Sequence, residues 1–233
     1  MGYLIARWLL GSFFRLVWRP RIVGVEHIPA TGPVIIASNH LSFIDSVVIP
    51  LVVPRRVRFL AKAEYFEGTG LRGWVNRAFF TAVDAVPVNR DSQRNAMASL
   101  RLAMDVLAQG AAFGIYPEGT RSRDGRLYQG RTGVGWLALE SGAPVVPVAL
   151  VGTDGVQPVG ARFPRPHPVK ISFAAPIDPT PWVEAVATSG GGARARREIT
   201  EAIMAAIAAM SPQELAHTYN DPPADPNEPT TTT

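Results

Sequence analysis

Seven runs rich in Val, Ile and Phe punctuate the chain: "RIVGVEHI" (21–28), "PVIIAS" (33–38), "RVRFLAK" (56–62), "AVPVNR" (85–90), "AAFGIYPEGTR" (111–121), "APVVPVALVG" (143–152) and "PVKISFAAPI" (168–177). Most are too short and too β-branched for helices and are bounded by Gly, Pro, Asn or Thr, so they predict strands, the fifth running into a turn. Between them lie segments of helical period. One starts just after His40, with Ser42 as its cap and Asp45 in its first turn. A Gly-interrupted stretch covers 63–82, a helix spans Ser92–Gln109 and ends at Gly110, a short one spans 132–142, and an amphipathic one spans Ala195–Met210. Strands alternating with helices predict an α/β fold whose mixed, largely parallel sheet is flanked by helices.

The stretch Tyr3–Arg21, "YLIARWLLGSFFRLVWRPR", has a different pattern. It is too short and too often charged to span a bilayer, which takes about 20 mostly apolar residues. As a helix it places Arg7, Gly11 and Arg15 on one stripe, with Leu4, Ile5, Trp8, Leu9, Phe13, Phe14, Leu16 and Val17 around the rest. That suits a helix lying in a membrane interface, with packing as a core helix the alternative. The arginines interrupt any signal-peptide core, and Ala6 stands where a myristoylation signal has Ser or Thr. The layout is thus an interfacial helix over 1–20, an α/β domain over 21–184, a Gly/Ser/Ala linker with a C-terminal helix over 185–218, and a disordered tail over 219–233. The linker proper is 185–193, and the stretch "NDPPADPNEPTTTT" (220–233) has no apolar content to bury.

Composition narrows the chemistry. The 233 residues are 47% hydrophobic, enough for one main core. Cysteine is absent, which removes disulfides, thiolate nucleophiles, cysteine-ligated zinc and iron–sulfur clusters. The net charge is only +4, yet Arg7, Arg15, Arg19 and Arg21 fall in a first stretch of 25 residues without an acid. The histidines at 27, 40, 167 and 217 have no metal-ligand spacing, and no G-x-S-x-G elbow occurs. Neither a metal nor a nucleic-acid partner is expected.

Two glycine patterns resemble nucleotide sites without the right setting. Gly68-x-Gly70-x-x-Gly73 has dinucleotide-loop spacing but does not directly follow a strand. Gly125 to Thr132 has phosphate-loop spacing, but Arg131 replaces the lysine and the preceding "SRD" is polar.

"SNHLSFID" (38–45) offers His40 and Asp45, either as a catalytic pair or as a surface histidine near a helix-capping acid. Positions i and i+5 of a regular helix lie about 140° apart, so they meet only if His40 sits in the loop before the helix. A carboxylate on Nδ1–H would then leave Nε2 free as a base. "YPEGTRSR" (116–123) ends a buried strand with Glu118, Gly119 and Arg121, at the edge where open α/β sheets bind ligands. Without cysteine or a serine elbow, any acyl transfer should be direct.

Together these segments resemble the 1-acylglycerol-3-phosphate acyltransferases and their glycerophospholipid acyltransferase relatives. Four blocks carry the likeness across residues 39–150: Asn39-His40 with Asp45, "VPVNR" ending at Arg90, "YPEGTRS" with Tyr116 for the family's Phe, and "VVPVAL". The resemblance implies transfer of a fatty acyl group from acyl-CoA or acyl carrier protein, as co-substrate and with no cofactor, to the hydroxyl of a lysophospholipid in a membrane. It implies His40 as general base oriented by Asp45, and Arg90 and Arg121 on the acceptor phosphate. Glu118 would brace the arginines or meet a glycerol hydroxyl, and Gly119 would allow close backbone approach. Asn39, Thr120 and Pro147 would support the site. The expected location is peripheral, on the cytoplasmic face of the cell membrane. A different lysolipid or glycolipid acceptor, or a catalytically idle lipid-binding protein, are the alternatives.

Overall fold

A computed structural model of the chain describes residues 2–62, 69–70, 73, 86–88, 93–161 and 163–220. Helix α1 (Gly2–Trp18) leads into β1 (Arg21–Val23), β2 (Val34–Ser38), α2 (Asp45–Val52), β3 (Val57–Lys62) and β4 (Val86–Val88). Then follow α3 (Gln93–Ala108), β5 (Ala112–Ile115), α4 (Gly133–Ser141), β6 (Val145–Val151) and the short α5 (Thr153–Val156). The described chain closes with β7 (Lys170–Phe173), α6 (Thr180–Ser189) and α7 (Gly192–Met210). The strands form one sheet in the order β1-β7-β6-β2-β5-β3-β4. Neighbours are parallel except β6 and β7. This is the α/β architecture that the alternating pattern predicts.

β2 shows why its run is continuously apolar. Every residue of it is buried, because helices cover both faces of the sheet. Val34 and Ile36 join the core under α1 and α2, whereas Ile35 and Ala37 join the core under α3, α4 and α7. Strand period two divides one run between two cores.

The structure departs from the local pattern in two places. The strand expected over 21–28 stops at Val23, since Gly24 turns left-handed at φ 77° and a Cβ there would collide with the Phe173 carbonyl. Residues 25–27 continue as a 3₁₀ turn. The linker expected from 185 is helical through Ser189, and the joint is only Gly190 and Gly191, at φ 75° and 83°. Asp178 holds the start of α6 by accepting the N–H and hydroxyl of Thr180, and Trp182 Nε1 donates to Glu198 of α7 at 3.2 Å. The expected helical stretch 63–82 lies mostly outside the described residues.

Helix α1 serves the domain on one side only. Phe14 is buried in the core, and Gly11 packs so that a Cβ would stand 3.6 Å from the Leu51 carbonyl of α2. The Arg7, Gly11 and Arg15 stripe therefore does not face outward throughout: Gly11 packs on α2 while Arg15 is exposed. The Arg7 side chain lies outside the described ones. Leu10, Phe13, Leu16 and Val17 stay exposed, Leu16 at 71%.

Gly114 of β5 pairs with Phe59 of β3, and a Cβ on it would fall on the Phe59 ring. Gly114→Ala should therefore overpack this site and cost roughly 1–3 kcal/mol. Thermal denaturation should show a midpoint several degrees lower. An unchanged midpoint would mean that the Phe59 ring moves aside freely.

Candidate active site

The site lies past the carboxyl ends of the adjacent parallel strands β2 and β5. His40 follows β2 by two residues, in the loop before α2, and Asp45 is the first residue of that helix. The loop brings them together: His40 Nδ1 stands 2.9 Å from Asp45 Oδ2. The same oxygen accepts the backbone N–H groups of Leu41 at 2.7 Å and Ser42 at 2.8 Å. Asp45 is wholly buried, and its Oδ1 has no hydrogen-bond partner among the described residues. Facing a carboxylate, Nδ1 is the donor, so Nε2 keeps its lone pair. The His40 side chain is 14% exposed, which leaves a path to the ring. Ser42 does not cap α2 as expected; its hydroxyl donates to the Gln157 carbonyl at 2.7 Å, and Asp45 gathers the loop amides instead.

The imidazole lies flat on Tyr116, with centroids 3.8 Å apart and planes 8° from parallel. Tyr116 is backed by Phe59 at 5.4 Å, and its hydroxyl pairs with Ser46 Oγ at 2.9 Å. The ring of His40 is thus held at its edge by Asp45 and on its face by Tyr116. Sequence pattern marks Tyr116 only as the aromatic residue heading its motif; its place on the imidazole comes from β5 lying beside β2.

Glu118 departs from the role expected of it. It is wholly buried, and its oxygens accept the N–H groups of His40 and Tyr128, both at 3.0 Å. It braces the backbone under His40 rather than the arginines. Gly119 makes the turn at φ 81°, and a Cβ there would stand 3.1 Å from the Arg131 side chain. Ser122 N–H donates to the His40 carbonyl at 2.8 Å, which brings Arg121 to the histidine loop. The Arg121 side chain is half-buried and has no partner among the described residues. Arg90 lies outside the described residues. Pro147 sits within the sheet opposite Ala37 of β2. Asn39 clamps the end of β6, donating to the Leu150 carbonyl at 2.9 Å and accepting the Leu150 N–H at 2.8 Å.

The segment after α7 straps this loop down. Gln213 accepts from Asn39 at 2.6 Å and donates to the Gly125 carbonyl at 2.9 Å, and Leu215 bridges Leu127. Asn220 Nδ2 donates to the carbonyls of Thr120 at 3.4 Å and Arg121 at 3.0 Å. Tyr219 and Asn220, expected to begin a disordered tail, are therefore held: Arg197 donates to the Tyr219 hydroxyl, and Arg131 lies over its ring and donates to the Asn220 carbonyl. Arg131 is thus engaged with the strap, and the phosphate-loop spacing at 125–132 hangs from no strand. Nothing local marks the strap, because its partners lie far back along the chain.

Burial pushes Glu118 up to about 7, against the pull of its two amide hydrogen bonds, with the charges of Asp45 and Asp124 adding to the rise. Between an unfolded value of 4.5 and about 7, the folded chain holds a proton that the unfolded chain lacks. This group's stabilising contribution is full below that window and is lost as pH rises through it, by on the order of 3 kcal/mol. Urea unfolding between pH 5 and 8 should show this slope in the parent and a flatter one in Glu118→Gln, which cannot titrate. The variant should also be less stable at low pH, since its amide turns a donor toward one of the two N–H groups. Parallel profiles would show that the carboxyl does not titrate in this range.

Residues 19–151, more than half of the chain, match the family model described as Acyltransferase. The chain is 32% identical over 146 residues to a chloroplastic 1-acyl-sn-glycerol-3-phosphate acyltransferase of Brassica napus, covering 62% of this chain and 41% of the relative. It is 31% identical over 150 residues to a 1-acyl-sn-glycerol-3-phosphate acyltransferase of Borreliella burgdorferi, covering 64% and 56%. The chain thus spans about half the length of these curated relatives or less. The crystal structure of the 1-acyl-sn-glycerophosphate acyltransferase PlsC from Thermotoga maritima superposes with a TM-score of 0.63 at 25% identity, over 86% of this chain and 76% of that one. The matched segment contains the His40–Asp45 pair and the whole Tyr116–Arg121 turn, and on these grounds the chain belongs to the acyltransferase family.

Proposed function

We propose that the protein transfers a fatty acyl group from a thioester, of coenzyme A or acyl carrier protein, to the free hydroxyl of 1-acylglycerol-3-phosphate, giving phosphatidic acid. The observation that carries this reading is the His40–Asp45 pair at 2.9 Å, with Nε2 unengaged among the described residues. The names of the family relatives support the acceptor. No cofactor or metal enters it.

In this scheme His40 Nε2 removes the proton of the acceptor hydroxyl as its oxygen attacks the thioester carbonyl carbon. The carbon–sulfur bond breaks, and the imidazolium returns the proton to the departing thiolate. Asp45 keeps the imidazole in the productive tautomer and offsets the charge that it gains. Tyr116 adds a π-face 3.8 Å from the ring, which also favours the cation. Arg121, with Arg90, holds the acceptor phosphate through charge-assisted hydrogen bonds. Glu118, Gly119 and Thr120 shape the turn that carries Arg121. The domain docks peripherally on the cytoplasmic face of the membrane through the exposed side of α1; no described helix is long and apolar enough to cross a bilayer.

Loss of the base is the first test. His40→Ala should lower kcat by about 10²- to 10⁴-fold in an assay with lysophosphatidate and acyl-CoA, with circular dichroism unchanged. Asp45→Asn should also be slow, through the wrong tautomer and the loss of a carboxylate that three N–H groups share. Turnover of His40→Ala near the parent rate would rule the scheme out.

Arg121→Ala separates binding from chemistry. A phosphate contact present before and during the transition state is worth about 1.5–3 kcal/mol, and its loss should raise KM for lysophosphatidate more than it lowers kcat. The same substitution should cost little on monoacylglycerol, which has no phosphate. The comparison is kcat/KM for two acceptors on two enzymes. Equal losses on both acceptors would remove Arg121 from the phosphate site.

A further inference from the structure

The loop between α5 and β7 is built differently from an ordinary surface connection. At its outer part Phe163 is 79% exposed and Val159 58%. The loop is not slack. Gln157 Nε2 donates to the Ala161 carbonyl at 3.4 Å, Ala161 N–H to the Pro158 carbonyl at 3.0 Å, and Arg165 N–H to the Val156 carbonyl at 2.7 Å. Pro158, Pro164 and Pro166 stiffen it further. An isolated exposed apolar residue needs no explanation. A phenylalanine held out to solvent by a hydrogen-bonded, proline-braced frame is preorganised for an apolar partner.

Two contacts state where this loop stands. Trp18, in the last turn of α1, donates its Nε1–H to the Arg165 carbonyl at 2.7 Å. The same Trp18 meets Phe13 edge-on at 6.0 Å, and Phe13 belongs to the exposed side of α1 with Leu10, Leu16 and Val17. The loop is therefore continuous with the helix side already assigned to the membrane. At its other end the Gln157 carbonyl accepts the Ser42 hydroxyl at 2.7 Å, so the loop begins on the histidine loop itself. Its charge fits an anionic surface: no acid occurs between Asp154 and Asp178, and Arg165 is exposed, as are Arg15 and Arg19 beside it in α1 and the turn that follows.

We propose that the loop residues 157–161 and 163–168 form a second bilayer-inserting element, with Phe163 entering among the acyl chains and Arg165 among the headgroups. With α1 it makes a two-point contact that fixes the tilt of the domain and brings the His40 loop to the level of the lipid acceptor's hydroxyl. This rests on the membrane-docked reading given above. One anchoring helix leaves a domain free to roll about the helix axis, whereas a second, offset wedge removes that freedom.

The absence of cysteine makes the test direct, because one introduced thiol is the sole labelling site. Phe163→Cys, Leu16→Cys and Ser189→Cys would each carry a polarity-sensitive fluorophore, Ser189 being exposed on α6, across the sheet from α1. On vesicles of mixed phosphatidylcholine and phosphatidylglycerol, the labels at 163 and 16 should shift to the blue and the label at 189 should not. In the unlabelled chain, Phe163→Ser should weaken vesicle partition roughly tenfold. A shift at 16 without one at 163 overturns the loop's role and leaves α1 docking intact; no shift at either overturns docking as well. A shift at 163 with acidic acyl carrier protein but none with vesicles reassigns the loop to the donor and also overturns the proposal.

Discussion

A single oxygen, Asp45 Oδ2, accepts three N–H groups, and the candidate site depends on that convergence. An ionised carboxylate taken wholly out of water is costly unless donors surround it. Here the donors are the imidazole and the backbone of the two residues after it, so the stabilisation of the charge and the shape of the loop are one event. The ring cannot turn without stripping a buried charge of a donor, and the loop cannot open without stripping it of two. Such a ring is held in one orientation and one tautomer before any substrate arrives, which is what proton transfer within hydrogen-bonding distance requires.

A second buried carboxylate repeats the device one strand away. Glu118 takes the N–H of His40 with one oxygen and that of Tyr128 with the other, and so couples the loop after β2 to the loop after β5. The two carboxylates treat the same residue differently: Asp45 holds the side chain of His40, Glu118 its backbone. Tyr116 then closes the remaining face of the ring. Gly114 is what allows this stack, because its missing side chain leaves room for Phe59 beneath Tyr116. The chain from Gly114 through Phe59 and Tyr116 to His40 links a packing detail of the sheet to the imidazole of the candidate site.

Helix α2 connects this arrangement to α1. It begins with Asp45 and, one turn and a half further on, packs its Leu51 backbone against Gly11 of α1. The exposed apolar side of α1 and the histidine loop are thereby joined through one short helix. Since Trp18 and Ser42 hold opposite ends of the 157–168 loop, the same region is tied together twice.

Short-range pattern carried the class of the fold, most strands and the condition under which His40 can meet Asp45, whereas the pairing itself was implied by the family resemblance. The first three follow from side-chain periodicity, from turn residues and from a spacing that can close only in a loop, all properties of neighbouring residues. The glycine joint at 190–191 shows the limit of that reasoning: small residues 185–189 look like a linker, yet they are helical because Trp182 anchors α6 to Glu198. The functions of Glu118, Tyr116 and Asn39 were still less legible. Glu118 next to two arginines reads as their partner, but burial and the amides of His40 and Tyr128 claim it. Asn220 in a proline- and aspartate-rich tail has no visible reason to be ordered until the carbonyls of Thr120 and Arg121, some hundred residues earlier, are beside it. A hydrogen bond between segments so far apart leaves no trace in the periodicity of either; it exists only once the sheet order has brought the strand ends together.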